Sequence, residues 1–194
     1  MEVTLDLTKR YTYADYLTWI DDVRRELIEG FIKMMPSPLS SHARVSKNIF
    51  RHLDAVVGRN KCSCEVFYAP VDVRLPKCGE TDNDKIYTVV QPDIFVVCDP
   101  SKIDRHGCCG APDLIVEILS KSTRKKDLID KFLIYQEAGV REYWIVDTKA
   151  KTVTAYTMQQ NGEYDDGNVY IPGEKAPVYI FDEEYVDLND VFNF

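Results

Sequence analysis

Residues 91–97 (QPDIFVV) and 111–120 (APDLIVEILS) are two short apolar runs that also contain carboxylates. A continuous apolar run of this length, bounded by turn-forming residues, is typical of a strand enclosed in a protein core. A charged group in such a strand destabilises the fold unless it is paired or binds a metal ion. The acids of these runs, Asp93, Asp113 and Glu117, are therefore candidates for a chemical role.

Alternation along the second run predicts which acids can meet. A strand puts every second residue on one face, so Asp113, Ile115 and Glu117 share a face. If the two runs pair as neighbouring strands, Asp93 and Glu117 converge at one end of the sheet. Two carboxylates, with waters and a substrate phosphate completing the shell, suit Mg²⁺ or Mn²⁺. Asp113 is explained equally well as a strand-end acid that pairs with a surface arginine or lysine.

A helix is predicted after the second strand. Apolar residues recur there at helical spacing (Leu128, Phe132 and Tyr135), and Gly139 ends the pattern. Lys131 and Tyr135 are four residues apart and share a face of this helix. That face could look back at the carboxylates. The alternative is a solvated lysine beside a core tyrosine.

Three segments together resemble a known family. They are PDIFVV (92–97), PDLIVEILS (112–120) and KFLIYQEAGVREYWIVD (131–147), and they are similar to the Uma family of endonucleases, a branch of the PD-(D/E)XK nuclease superfamily. The resemblance runs from about residue 11 to residue 192. It implies an α/β protein of the restriction-endonuclease-like fold, with a central mixed β-sheet flanked by helices. We expect one domain over residues 1–194.

The resemblance also implies roles for individual residues. Asp93 takes the PD position and Glu117 the (D/E) position, and both would be ligands of Mg²⁺ or Mn²⁺. The superfamily lysine two residues after the glutamate is missing, because Leu119 stands there. Lys131, with Tyr135 on the same helix, is the expected substitute near the attacking water or the scissile phosphate.

Other residues are weaker candidates for the same site. Lys121 is an alternative to Lys131 as the missing lysine. Glu26, in the segment ELIEG, is the preferred additional acid and Glu29 the alternative to it. His42, near the start of a predicted helix, could reach the mouth of the site, although a capping or surface role is the stronger interpretation.

The charge balance opposes a nucleic-acid partner. A formal net charge of −8 disfavours non-specific attraction to a polyanion. Bound divalent cations would invert the local sign, however, and basic residues could form a rim that contacts phosphate. The residues that could form this rim are Lys47, Arg51, Lys121, Arg124, Lys125 and Lys126. Within it, Arg124, Lys125 and Lys126 are the candidates for contact with DNA phosphate. The alternative is a helix start that only adds solubility.

Composition is that of an ordinary globular protein. The 194 residues are 45% hydrophobic and 29% charged, and the sequence shows no long apolar segment and no secretion signal. We therefore expect a cytoplasmic protein without a membrane span, and a homodimer by analogy with superfamily relatives. The six cysteines match no common zinc-site spacing, so reduced thiols are expected.

The remaining pattern predicts a series of shorter elements. Helices are expected at 13–22, after Thr12 as N-cap, and at 40–57, ended by Gly58. Strands are expected at 27–35, 65–68, 71–75, 87–97, 142–146 and 152–157, with strand-like edges at 164–171 and 178–181.

The sequence therefore predicts a magnesium-dependent endodeoxyribonuclease. The main alternative is a catalytically degenerate nucleic-acid-binding or regulatory module of the same fold, favoured by the acidic surface and by the missing lysine. A third hypothesis is a hydrolase of a small phosphoester or nucleotide, which would need less basic surface.

Overall fold

The computed structural model of the protein describes residues 5–77, 79–119 and 126–194, with only the backbone for residues 126–128. Its α-helices within these ranges are α1 (Tyr13–Tyr16), α2 (Ser40–Asn60), α3 (Lys126–Ala138) and α4 (Leu188–Val191). Short 3₁₀ turns occupy Asn83–Lys85 and Pro100–Lys102. Among the described helices, none has the length and apolar character needed to cross a lipid bilayer.

The strands are short and numerous. In chain order they are β1 (Arg25–Ile28), β2 (Phe31–Met34), β3 (Glu65–Tyr68), β4 (Asp72–Arg74), β5 (Val89–Val90), β6 (Ile94–Val97), β7 (Ile103–Asp104), β8 (Gly107–Cys109), β9 (Leu114–Ile118), β10 (Glu142–Asp147), β11 (Thr152–Thr157), β12 (Asn168–Tyr170), β13 (Lys175–Pro177) and β14 (Tyr185–Asp187). They form one sheet in the order β2-β1-β5-β4-β8-β7, a second in the order β12-β11-β10-β9-β6-β3, and a small β13-β14 pair. The α/β class is confirmed, and the mixed sheet is accompanied by a second one.

The second sheet places the two predicted acidic strands side by side. Strand β9 runs antiparallel to β6 and parallel to β10. Ile94 lies opposite Val116, so the next residues outward on the two strands are Asp93 and Glu117. The prediction that these strands are neighbours is confirmed, and the register brings both acids to the same end.

Strand β9 is covered on both faces, which explains its apolar run. One face packs against α2 in the larger core cluster, where the contributing residues are Leu114, Val116, Ile118, Val45, Ile49 and Leu53. The other face packs under α3 through Ile115, Tyr135 and Tyr143. Glu117 lies on this second face, between the sheet and α3.

The predicted strand over residues 87–97 is wrong as a single element. Val89 and Val90 belong to the first sheet, whereas β6 belongs to the second. The chain crosses between the sheets at Gln91 and Pro92. Proline cannot donate to a β-ladder, which is why pairing stops there. The crossing puts Asp93 at the junction of the two sheets.

The predicted strand over residues 27–35 is also wrong, because it is a hairpin of β1 and β2. Glu29 and Gly30 form its turn with φ angles of 51° and 88°. Two consecutive positive φ values are typical of the type I′ turn that joins two-residue hairpins. The register pairs Glu26 with Lys33, so their side chains share one face of the hairpin.

Two other predicted elements differ in the structure from their predicted bounds. Thr12 is the N-cap of α1 as predicted, with a capping box to Asp15, but the helix ends at Tyr16. Its chain then turns so that Trp19 packs edge-on against Tyr11. The predicted edge at 178–181 is not a strand; the small sheet uses β13 and β14 on either side of it.

The expectation of reduced cysteines is wrong for one pair. Cys64 and Cys98 are joined by a disulfide. The register of β3 and β6 pairs Glu65 with Val97, so the cysteines directly outside that pair face each other. Cys62, Cys108 and Cys109 are free thiols.

Helix α2 continues past Gly58, the predicted end, and closes at Lys61 in the left-handed conformation. A Cβ at Gly58 would meet no atom within 4 Å. At Gly107, where φ is 116°, a Cβ would collide with the backbone oxygen of Asp72. The two glycines therefore tolerate a side chain very differently.

We expect Gly58→Ala to raise the free energy of unfolding by about 0.5–1 kcal/mol, because alanine favours a helix interior. Gly107→Ala should lower it by at least about 2 kcal/mol through strain and collision. Denaturant unfolding of the two variants measures both effects. A destabilised Gly58→Ala protein would contradict the continuous helix.

Candidate active site

Glu117, near the end of β9, is the centre of a buried polar cluster. Its Oε1 accepts hydrogen bonds from Lys131 Nζ at 2.8 Å and from the Tyr135 hydroxyl at 2.6 Å. Both donors belong to α3, where their spacing puts them on one face. The prediction that this face looks back at the carboxylates is confirmed.

Lys131 joins this cluster to the first sheet. Its Nζ also donates to Glu26 Oε1 at 2.9 Å, while Glu26 accepts from the backbone N–H of Gln91. The Lys131 side chain is only 13% exposed. An ammonium in such a place needs its counter-charges, since an unpaired buried charge is strongly destabilising. Glu26, the preferred additional acid, is therefore brought into the site.

Asp93 occupies the neighbouring corner. Its Oδ2 accepts from the backbone N–H of Ile118 at 2.7 Å and lies 3.1 Å from His42 Nε2. His42 is in the first turn of α2, and its side chain is 14% exposed. The interpretation of His42 as a capping or surface residue is wrong. The sequence indicated only that His42 lies near the start of a helix, and this position alone does not show that the helix packs on β9.

Burial and charge set the protonation of the cluster. The pKa of Glu117 is raised to about 7: burial is the largest cause, Lys131 opposes it, and the charges of Asp93 and Glu26 add to it. Burial lowers the pKa of Lys131, but Glu117 and Glu26 raise it more, so the ammonium keeps its charge. Burial and the charge of Glu117 hold the pKa of Tyr135 well above its usual value, so its hydroxyl remains a donor.

His42 is subject to opposing effects. Burial lowers its pKa, while the hydrogen bond and charge of Asp93 raise it, and the net direction is upward. The imidazole therefore favours its charged form more than a free histidine does. When protonated, it adds positive charge beside Asp93.

The carboxylates leave two oxygens for a cation. Asp93 Oδ1 and Glu117 Oε2 make no hydrogen bond within the described residues. The described parts of the chain contain no group of three or more His, Cys, Asp or Glu side chains able to hold a metal. Two carboxylates are nevertheless a common protein contribution to Mg²⁺, which keeps several waters and binds substrate phosphate. The residues present fit this ion.

Asp113 does not reach the site. It lies four residues before Glu117, about 13 Å along the strand. Its carboxylate accepts from the backbone N–H of Cys98 and from Arg141 Nη1. The structure places it as a strand-end acid paired with a surface arginine, which was the alternative interpretation.

Several weaker candidates lie elsewhere. Glu29 sits on the exposed hairpin turn and pairs with Lys77. Lys121, Arg124 and Lys125 lie outside the described residues, and the side chain of Lys126 is not described either.

A cavity of about 650 Å³ opens over the carboxylates. Its lining includes Glu26, Asp93, Glu117 and Lys131, together with residues of the β1–β2 hairpin and of α2. Tyr143 also lines it, and its fully buried hydroxyl has no hydrogen-bond partner within the described residues. The sequence did not identify this tyrosine as a site residue, because the apolar segment that contains it predicts only a buried strand.

Comparison with known protein families identifies the family of this chain. A family model, Uma2, described as "Putative restriction endonuclease", matches residues 13–181. The chain belongs to the Uma2 family. The match includes β6, β9 and α3, which hold the acids and Lys131, and confirms the resemblance seen in the sequence.

Individual Uma2 relatives are distant. An uncharacterized protein of Synechocystis sp. is 26% identical over 157 residues, covering 77% of this chain and 75% of its own. The crystal structure of a protein from Anabaena variabilis, described as a putative nuclease belonging to DUF820, is 23% identical. It superposes with a TM-score of 0.72 and covers 94% of this chain and 97% of its own. This likeness supports the fold of the Uma2 chain.

Tyr135 and Tyr143 are both fully buried but differ in hydroxyl partners, so they form a matched pair. Tyr135→Phe should lower the free energy of unfolding by about 1–3 kcal/mol, because it removes a hydrogen bond to a buried carboxylate. Tyr143→Phe should leave it unchanged or raise it, because that hydroxyl has no described partner. Denaturant unfolding measures both. Equal losses would contradict the assigned hydrogen bonds.

Proposed function

We propose that this Uma2 protein is a metal-dependent endonuclease that hydrolyses phosphodiester bonds in DNA. The observation that supports it is the convergence of Asp93, Glu117 and Lys131 at one end of the second sheet, under an open cavity. Two carboxylates that can hold a divalent ion, and an ammonium that can offset negative charge, are groups that assist in-line attack on a phosphodiester. Membership of a family described as "Putative restriction endonuclease" supports the same reaction class.

The carboxylates would hold Mg²⁺ or Mn²⁺ through their two available oxygens. When bound, the ion supplies a Lewis acid that lowers the pKa of water and offsets charge on the phosphate. The protein supplies the placement: Tyr135 and Lys131 fix one oxygen of Glu117, and Ile118 N–H and His42 fix one oxygen of Asp93. The rotamers of both acids are thereby set before substrate arrives.

Lys131 would have the role of the superfamily lysine, whose position in the motif is occupied here by Leu119. Its ammonium has three donors, of which Glu26 and Glu117 use two. The third N–H can donate a hydrogen bond to a phosphate oxygen or to the attacking water. Because the amine stays charged, it can stabilise the negative charge that develops in the transition state.

A non-catalytic nucleic-acid-binding module is the second candidate. The observation in its favour is that both described hydrogen bonds of Lys131 go to carboxylates, which compete with substrate for its charge. Cleavage assays distinguish the two functions.

The metal ligands can be tested by stability. Mn²⁺ should raise the melting temperature of the wild type, because a ligand that binds only the native state stabilises it, by about 2.7 kcal/mol at 100 times Kd. Asp93→Asn and Glu117→Gln should each abolish this increment. Asp113→Asn is the control and should retain it, whatever its own stability. Undiminished Mn²⁺ stabilisation in both site variants would rule out these ligands.

The role of Lys131 can be tested by cleavage of supercoiled plasmid and of single-stranded circular DNA with Mg²⁺. Lys131→Ala should slow cleavage at least about 100-fold, near 2.7 kcal/mol, while Mn²⁺ stabilisation persists. Lys131→Arg should not restore the rate, because a planar guanidinium presents different donor geometry. The control is Lys77→Ala, a surface lysine paired with Glu29.

Two outcomes would overturn these assignments. Wild-type rates in Lys131→Ala would show that Lys131 does not take part in the reaction. A wild-type protein that cleaves neither substrate with any divalent ion would favour the binding module.

A further inference from the structure

The cavity over the carboxylates has an exposed aromatic wall that the hydrolytic chemistry does not need. Tyr68, the last residue of β3, is 58% exposed and lines the cavity. Its ring is held edge-on against Phe50 of α2, with centroids 5.0 Å apart. The next residue, Ala69, donates its N–H to the backbone oxygen of Asp93. A flat ring face is therefore available beside a proposed metal ligand.

A second exposed apolar side chain belongs to the same cavity. Met34, at the end of β2, is 56% exposed and is also a lining residue. Large apolar side chains gathered at one concave site mark a ligand-binding surface more often than chance exposure does. The combination of an aromatic and a thioether side chain suits a flat, polarisable ring.

The rim of the cavity is basic on an acidic protein. Arg24, Lys33, Lys47 and Arg51 line it, and none of them has an ion pair within the described residues. Lys47 and Arg51 are one helical turn apart on α2, on the face that looks into the cavity. The cavity lining holds five basic and four acidic side chains, whereas the whole chain has a net charge of −8, so the cavity is locally more favourable to an anionic ligand than the rest of the protein.

The floor of the cavity offers a polar partner. Tyr143 is one of the residues that line the cavity, and its hydroxyl is buried with no hydrogen-bond partner within the described residues. A buried hydroxyl without a partner destabilises the fold, so a ligand in the cavity that forms a hydrogen bond with it would be bound more tightly. These three features together match the parts of a nucleotide. The apolar side chains suit the flat base, the basic side chains suit the phosphate, and the tyrosine hydroxyl suits a hydrogen-bonding group on the base.

We propose that the cavity holds an unpaired nucleotide, with its base against Tyr68 and its flanking phosphates at the Lys47–Arg51 rim. Single-stranded DNA, or an unpaired segment of a duplex, is then the substrate; this inference rests on the proposed nuclease function. Bases inside a duplex have both faces covered by their neighbours and cannot stack on a protein ring without leaving the helix. A single strand presents those faces freely, and base–aromatic stacking is the common mode of single-strand binding.

The inference is tested by binding rather than by cleavage. A fluorescein-labelled 12-nucleotide single strand and the matched duplex are titrated with the full chain, and anisotropy gives Kd. Ca²⁺ replaces Mg²⁺ so that the carboxylates are neutralised by an oxygen-seeking cation, and a gel checks that the strand stays intact. The single strand should bind at least about tenfold more tightly than the duplex.

Two variants locate the contact. Tyr68→Ala should weaken single-strand binding at least about tenfold by removing the stacking surface. Tyr185→Ala is the control, because Tyr185 is a 44% exposed tyrosine on β14 that does not line the cavity, and this variant should bind as the wild type does. Lys47→Ser with Arg51→Ser should flatten the dependence of log Kd on log salt by about 1.4, since each lost contact to a single strand contributes about 0.7.

The possible failures are distinguishable. Duplex binding equal to or tighter than single-strand binding, no binding of either, or Tyr68→Ala behaving like Tyr185→Ala would each overturn the unpaired-nucleotide assignment. None of these affects the nuclease proposal, which stands or falls on cleavage dependent on Asp93. Tight single-strand binding that requires Tyr68, without cleavage by any divalent ion, would retain the cavity assignment and overturn the nuclease function.

Discussion

The ammonium of Lys131 lies between the carboxylates of Glu26 and Glu117, and the rest of the site depends on this contact. It joins three elements: α3, strand β1 of the first sheet and strand β9 of the second. Two carboxylates so close together and so little exposed would repel each other without it. The same contact therefore closes the core between the sheets and holds a positive charge at the floor of the cavity.

The arrangement of hydrogen bonds around the two strand acids follows one rule. In each of them, the described donors occupy a single oxygen, Oε1 in Glu117 and Oδ2 in Asp93. The other oxygen of each remains available, which is the arrangement a shared cation needs. Little reorganisation is needed when a ligand arrives, because Tyr135 is fully buried and the side chain of His42 is only 14% exposed. The site is thus preorganised by the same residues that stabilise the fold.

Failures of the sequence predictions have a common physical cause. The apolar pattern over residues 87–97 is continuous, but the chain changes sheets at Gln91 and Pro92, and periodicity does not register such a change. The run over residues 27–35 likewise conceals a hairpin, since only the positive φ angles of Glu29 and Gly30 reveal its turn. Asp113 shares a strand face with Glu117, yet the length of the strand separates them.

The sequence alone determined the local features: the strands that contain Asp93 and Glu117, the helix face shared by Lys131 and Tyr135, and the family resemblance. These depend on spacing within short segments, which periodicity and motifs describe directly. Only the tertiary structure decided that Glu26 rather than Glu29 joins the site and that a cavity with an aromatic wall opens over it. Both outcomes depend on how elements far apart in the chain pack together, and distances between such elements are set by the whole core rather than by any local pattern.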